Sequence, residues 1–200
     1  MFPYLCAKLL QVINLAIFAS GKATNARRII EKFRTDDQVQ VKLLITNNFE
    51  SGLIDVSREF HISSFYFDND KVAEGENLLQ RLRDFEIDYV ILAGFLRKIP
   101  EVIIQAYPKH IINIHPALLP KFGGKGMYGI KVHQAVLDAG EKETGITIHL
   151  VNEQYDEGQI LAQHKLDIPE RINARHLQAL VQELEHQHYP IEIEKYIKNV

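Results

Sequence analysis

A doubly wound, mostly parallel α/β sheet that ends in an antiparallel hairpin is the fold class the 200-residue sequence predicts. Three observations carry it. From residue 12 to residue 115, short apolar runs alternate with stretches of helical spacing, the order that builds parallel sheets through βαβ crossovers. Several runs are apolar on both faces, as strands covered by helices on each side must be. Beyond residue 140, two strand-like runs are separated only by a turn-rich connection, which marks a hairpin.

Residues 12–18 (Val-Ile-Asn-Leu-Ala-Ile-Phe) form the first buried run. The small residues of 19–25 turn the chain, and 26–33 have helical spacing, with Ile29, Ile30 and Phe33 on one side and Thr24 or Asn25 as the expected N-cap. A strand, a small-residue turn and a helix N-terminus can hold phosphate on free backbone N–H groups. The same pattern also describes a plain βα turn, since it matches neither a Walker motif nor a dinucleotide fingerprint. Residues 39–46 read as the second strand, 51–60 as a helix and 64–67 as a short third strand. Residues 76–85 are amphipathic, with Leu78, Leu79 and Leu82 inward. Residues 88–93 read as a central strand closed by Gly94, and 100–107 as a short helix with Pro100 in its first turn.

Residues 111–115 are a buried strand ending on His115, followed by Pro116 and Pro120. Residues 121–129 contain four glycines and read as a mobile loop beside that strand end. A helix at 132–139 closes on Gly140. The hairpin strands are 145–151 and 160–166, joined by the acidic connection 152–158. The last large helix is expected at 174–189, with Leu177, Leu180, Val181 and Leu184 inward. One domain is expected, preceded by a tail over residues 1–11. The apolar stretch 1–20 is broken by Lys8, Gln11 and Asn14, so the tail does not read as a signal peptide or anchor.

Composition narrows the function. With 46% apolar and 24% charged residues the chain is that of a soluble globular protein, and a net charge of −3 gives no basic excess for nucleic acid. A single cysteine, Cys6, excludes an internal disulfide and points to a reducing compartment, expected to be the cytoplasm. No Cys/His spacing fits a structural zinc site, and His186 and His188 fall on different helix faces. No metal, membrane or nucleic-acid partner is expected. The sequence leaves the oligomeric state open.

Sheets of this class bind ligands at the carboxyl ends of their strands, so the 20–25 turn, Gly94 and His115 should share one rim. Covalent catalysis has no support, because there is no Gly-x-Ser-x-Gly and Cys6 lies too near the start. The polar groups remain. Asn113 can donate to a developing oxyanion, His115 can act as acid or cation, and Asp156 can raise the imidazole's pKa and keep it protonated. Together they suit attack of an amine on an acyl carbon. Each also has a structural alternative: a buried Asn that satisfies loop backbone, a core histidine among the nine present, an Asp that caps its turn. His149 could face the same rim.

Asn113-Ile114-His115-Pro116-Ala117-Leu118-Leu119-Pro120 resembles the Asn-x-His-Pro-Ser-Leu-Leu-Pro signature of the folate-dependent formyltransferases, with Ala117 in place of Ser. The segments 90–97 (Val-Ile-Leu-Ala-Gly-Phe-Leu-Arg), 145–151 and Tyr155-Asp156-Glu157-Gly158 resemble the flanking blocks, in the same order. Ser20-Gly21-Lys22-Ala23-Thr24-Asn25 is similar to the turn with which one branch of the family holds the phosphate of a ribonucleotide amine. Glu185-His186-Gln187-His188-Tyr189-Pro190 is similar to that branch's ending.

The resemblance implies formyl transfer from 10-formyltetrahydrofolate to glycinamide ribonucleotide in purine biosynthesis. Asn113, His115 and Asp156 would be catalytic, with His115 the proton donor. Ala23, Thr24, Asn25, Gln182 and Glu185 would bind the amine substrate. Leu96, Arg97, Lys98 and Ile99, with Asn113, Asn152, Tyr155 and Asp156, would form the folate pocket, and Lys71 is the loose match for a cation at the folate tail. An amino sugar nucleotide as acceptor, or folate binding without turnover, are the alternatives. Members with an RNA-binding or regulatory domain are not expected, because the chain has no room for one. The departure that matters is Ala23, where the family has glycine. If the position needs positive φ, alanine costs about 1 kcal/mol there.

Overall fold

The computed structural model describes residues 12–199. The expected tail over 1–11, and Cys6 within it, lie outside the described residues. The alternating pattern builds β1 (Ile13–Phe18), α1 (Thr24–Phe33), β2 (Val39–Thr46), α2 (Leu53–Phe60), β3 (Ser63–Tyr66), α3 (Asn69–Glu74), α4 (Glu76–Asp84), β4 (Tyr89–Leu92), α5 (Glu101–Ala106) and β5 (Ile111–His115). There follow α6 (Ile130–Asp138), β6 (Glu143–Leu150), β7 (Ile160–Asp167) and α7 (Ala174–Ile197). The strands form a seven-stranded sheet in the order β3-β2-β1-β4-β5-β6-β7. Pairing is parallel from β3 to β5 and antiparallel for β5·β6 and β6·β7.

The order reverses between β1 and β4, since the chain first winds outward to β3 and then returns to the other side of β1. The loops leaving those two strands diverge to opposite faces and open a crevice at the carboxyl rim. Their roots stay joined, because Ser20 N–H donates to the Gly94 carbonyl at 3.0 Å.

Alternation along the central strands feeds two cores. Leu15 and Ile17 pack on one face with Ile29 of α1, Leu53 of α2 and Leu177, Val181 and Ile193 of α7. Ala16 and Phe18 pack on the other with Leu78 and Leu82 of α4 and Ile103 of α5. All of these are at most a few per cent exposed, which is why Leu15-Ala16-Ile17-Phe18 is apolar on both faces.

Three expectations need correction. Neither Thr24 nor Asn25 caps α1; the N-cap is Ala23, in the left-handed region, with no side-chain cap, and Thr24 and Asn25 are already helical. Their side chains are used by α7 instead. The last helix does not stop at Tyr189 but runs through Pro190 to Ile197. A mid-helix proline costs about 3 kcal/mol, yet the turns beyond it bury Ile193 and Ile197, each worth about 2 kcal/mol. Leu180 is exposed rather than inward, since Leu177 and Val181 already fill the stripe facing the sheet. The short α3 went unforeseen; Asp68 caps it by accepting from the Lys71 N–H at 2.8 Å.

Gly145 fixes the hairpin register. A Cβ there would collide with the His164 carbonyl on β7. Gly145→Ala is expected to lower unfolding free energy by about 3 kcal/mol, read as a shift of the urea midpoint. No helix among the described residues is long and apolar enough to cross a membrane.

Candidate active site

The turn after β1 is built to leave backbone N–H groups free. Its carbonyls are taken: Ser20 O accepts from Asn48 Nδ2 at 3.0 Å, and Gly21 O accepts from the Gly52 N–H and the Ser51 hydroxyl, both at 3.0 Å. The N–H groups of Lys22, Ala23, Thr24 and Asn25 have no acceptor among the described residues. Ala23 has φ 58°, followed by the right-handed turns of α1. A left-handed residue running into a helix makes a concave nest of N–H groups, which suits an anion. The φ also settles the question the sequence raised about Ala23. Ala23→Gly is expected to raise stability by about 1 kcal/mol, seen as a rise of about 3 °C in thermal midpoint.

Opposite the turn, β5 delivers Asn113 and His115 to the rim, and β6 delivers His149. His115 is 3% exposed. Its Nε2–H donates to the Phe122 carbonyl at 2.8 Å, which fixes the tautomer and aims Nδ1 at Asp156 Oδ2, 3.5 Å away. The loop at 121–129 is thus pinned to the site. It is pinned a second time by the Gly124 N–H, which donates to Asp156 Oδ2 at 2.9 Å. The segment between His115 and Pro120 is held from below by Thr147. Its hydroxyl donates to the Ala117 carbonyl at 2.7 Å and accepts from the Leu119 N–H at 2.9 Å.

His149, which the sequence offered only as a competitor to His115, belongs to the same cluster. Its Nδ1–H donates to the Leu150 carbonyl at 2.9 Å, leaving Nε2 to accept from Asn113 Nδ2 at 3.0 Å. The same Nε2 lies 3.6 Å from Asp156 Oδ1. His149 therefore orients the Asn113 amide and uses one of its two N–H groups; the other remains for a ligand.

The electrostatics correct the expected protonation. Burial pushes the His115 pKa below its ordinary value, and this outweighs the raising effects of Asp156 and the Phe122 carbonyl. His149 is lowered by burial too, against the pull of its Leu150 hydrogen bond and Asp156. A third imidazole, His133 on α6, was not foreseen. It lines the same cavity at 2% exposure, its Nδ1 has no partner, and burial with His115 nearby lowers its pKa to about 4. Buried imidazoles that cannot all be charged leave His115, the one with a carboxylate facing its free nitrogen, best placed to take the proton.

α7 closes the cavity beside the turn. Gln182 Nε2 donates to Thr24 Oγ1 at 3.0 Å, and Asn25 Nδ2 donates to Glu185 Oε2 at 2.7 Å. Burial raises the Glu185 carboxyl to about 7, with the Asn25 hydrogen bond opposing. Tyr189, fully buried, shares its hydroxyl proton between the Leu92 and Ile112 carbonyls and so anchors α7 to β4 and β5.

One cavity of about 1180 Å³ joins all of this. Every residue the sequence singled out lines it, from Ala23, Thr24 and Asn25 through Leu96, Arg97, Lys98, Ile99, Asn113, His115, Asn152, Tyr155 and Asp156 to Gln182 and Glu185, with one exception. Lys71 does not. It pairs with Asp68 at 3.6 Å on α3 and lines a smaller groove with Phe65 and Arg81, because capping of α3 turns it from the rim. On the far wall, Lys98 Nζ lies 5.9 Å from the centroid of the Tyr155 ring and links the two sides of the cleft. No group of three or more His, Cys, Asp or Glu among the described residues is arranged to hold a metal ion.

The family model described as formyl transferase matches residues 13–193. The chloroplastic phosphoribosylglycinamide formyltransferase of Arabidopsis thaliana is 45% identical over 174 residues, covering 81% of this chain and 59% of the plant protein. The chain thus spans about three fifths of that relative's length. The phosphoribosylglycinamide formyltransferase of Bacillus subtilis is 34% identical over 189 residues, with 92% and 94% of the two chains covered. Among solved structures, that of phosphoribosylglycinamide formyltransferase from Bacillus halodurans superposes with a TM-score of 0.85 at 34% identity, covering 93% of this chain and 96% of that one.

Proposed function

The chain belongs to the formyl transferase family, and from that premise we propose that it moves a formyl group from 10-formyltetrahydrofolate to the amine of glycinamide ribonucleotide, a step of purine biosynthesis. The single observation that carries this is the one cavity. Its lining brings together the anion nest, the Asn113/His115/Asp156 cluster and the Leu96–Ile99 wall with Tyr155. A phosphorylated amine suits the nest and a folate suits the wall, and the cluster supplies the polar groups their reacting atoms need.

In this reading the amine nitrogen attacks the formyl carbon directly, and the formyl oxygen becomes an oxyanion. The free N–H of Asn113 and the protonated Nδ1 of His115 face that charge. The bond from formyl carbon to N10 of the folate then breaks. His115 gives its proton to the departing nitrogen, and the proton shed by the amine is taken up through Asp156. Burial that lowers the His115 pKa makes its proton easier to give up, and Asp156 holds it until transfer. Thr24, Asn25, Gln182 and Glu185 grip the ribosyl amine. Leu96, Arg97, Lys98, Ile99, Asn152 and Tyr155 hold the folate, with Arg97 and Lys98 the cations at that end in place of Lys71. No metal is needed for any step. The cytoplasm is part of the proposal, since both reactants are water-soluble small molecules.

The test is direct. Purified protein is mixed with 10-formyltetrahydrofolate and glycinamide ribonucleotide, and tetrahydrofolate release is followed. Turnover requiring that amine is the expected result. Turnover with an amino sugar nucleotide in its place, or none with either, would sink the reading.

A further inference from the structure

We propose that Arg175, at the start of α7, is a phosphate-binding residue that sets this site's preference for a phosphorylated amine. The inference rests on the reading of the 20–25 turn as the phosphate end of the site.

Four contacts show that α7 runs parallel to the α1 segment and in step with it. Gln182 meets Thr24, Glu185 meets Asn25, Glu194 pairs with Lys32 at 2.7 Å, and Lys198 pairs with Asp36 at 2.6 Å. α1 begins at Thr24, opposite Gln182. α7 begins earlier, at Ala174. Arg175 precedes Gln182 by seven residues, close to two full turns, so it lies on the same face and about 10 Å further along. That carries it beyond the amino end of α1, into the space in front of the free N–H groups of the nest. Arg175, Gln178, Gln182 and Glu185 form one stripe, and all four line the cavity.

Two further observations point to an anion between Arg175 and the nest. The first turn of α7 holds no acidic residue but has Arg175 and His176, although the helix dipole disfavours cations there. Arg175 has no ion pair or hydrogen bond among the described residues, so no side-chain partner compensates. A residue that breaks a local rule without a structural return marks function. In the turn itself, the N–H groups of Lys22, Ala23, Thr24 and Asn25 have no acceptor among the described residues, and all four residues line the same cavity. A phosphate dianion seated in the nest would take backbone N–H groups from below and the planar guanidinium from in front. The charge would also offset the poorer fit of Ala23, whose methyl stands where a glycine would allow closer approach.

The experiment compares glycinamide ribonucleotide with its dephosphorylated riboside as formyl acceptors, using the full chain and its Arg175→Gln and Arg175→Lys variants. The ratio of kcat/KM for the two acceptors is expected to fall about tenfold in Arg175→Gln and less in Arg175→Lys, and the inhibition constant of inorganic phosphate to rise in step. The thermal midpoint should hold or rise, since a cation leaves a helix N-terminus, which separates the effect from unfolding. A ratio within twofold of the unaltered protein overturns the role of Arg175. Transfer without any preference for the phosphorylated acceptor overturns it too, and leaves formyl transfer standing. If no transfer occurs, calorimetric titration with inorganic phosphate decides. Binding that weakens in Arg175→Gln upholds the arginine while the reaction fails, and binding that is absent or unchanged overturns it.

Discussion

His115→Ala is expected to lower kcat by about 10³-fold or more, while both ligands still bind. Loss of a positioned acid removes two to four orders of magnitude, and loss of a donor at the developing oxyanion removes a comparable amount. In His115 one side chain performs both roles, so the effects compound. Its Nε2 is committed to the Phe122 carbonyl at 2.8 Å, which leaves Nδ1 as the only atom able to gain and lose a proton toward the reactants. The nest and the Leu96–Ile99 wall are built from other residues of the cavity, so calorimetric affinities for the two substrates should change little. Retention of a tenth or more of the activity would remove His115 from the mechanism. Because the variant also orphans the Phe122 carbonyl, His115→Asn serves as a control. It offers a polar group of similar depth but no acid, and it should be equally inactive.

Asp156→Asn should cost about 10²-fold in kcat and move the alkaline limb of the pH profile to lower pH. The sign follows from the site. Asp156 raises the His115 pKa against the dominant lowering by burial. If transfer needs the protonated imidazole, activity is lost as pH rises through that pKa. Removing the carboxylate takes away a raising influence, so the loss begins at lower pH. The other groups facing His115 are the imidazoles of His133 and His149, both lowered by burial, so neither supplies a compensating charge. Asparagine is tolerated in the left-handed conformation that Asp156 adopts at φ 57°, and its amide oxygen can still accept from the Gly124 N–H. The loop should therefore stay in place and the effect be one of charge. An unshifted limb, or one moved to higher pH, would contradict the assignment of Asp156 as the partner of His115.

Much of the architecture was legible because the central strands are covered on both faces. Leu15, Ile17, Ala16 and Phe18 all enter a core, so the run is apolar throughout and cannot be mistaken for an amphipathic element. Positions fixed by tertiary contact were not legible. Nothing local singled out Asp68, because its capping of α3 depends on where β3 ends. Pro190 looked like a terminator because the cost of its missing N–H is local, whereas the gain from burying Ile193 and Ile197 is not. Thr24 and Asn25 looked like caps because capping is the local use of such side chains. Their real partners, Gln182 and Glu185, lie 158 and 160 residues away.

The same division runs through the site. By itself the sequence determined the sheet, its carboxyl rim and the residues that would meet there, since strand order and local motif are properties of short stretches. It also fixed Ala23 at the position where backbone strain would matter. Only the tertiary structure decided how those residues act on one another. It made His149 the support of Asn113, put Lys71 outside the cavity, brought Arg175 in front of α1 and showed burial outweighing Asp156 at His115. The physical reason is that pKa, tautomer and charge pairing depend on distances across the cleft and on the loss of water. Neither exists until elements far apart in the chain have closed around one another.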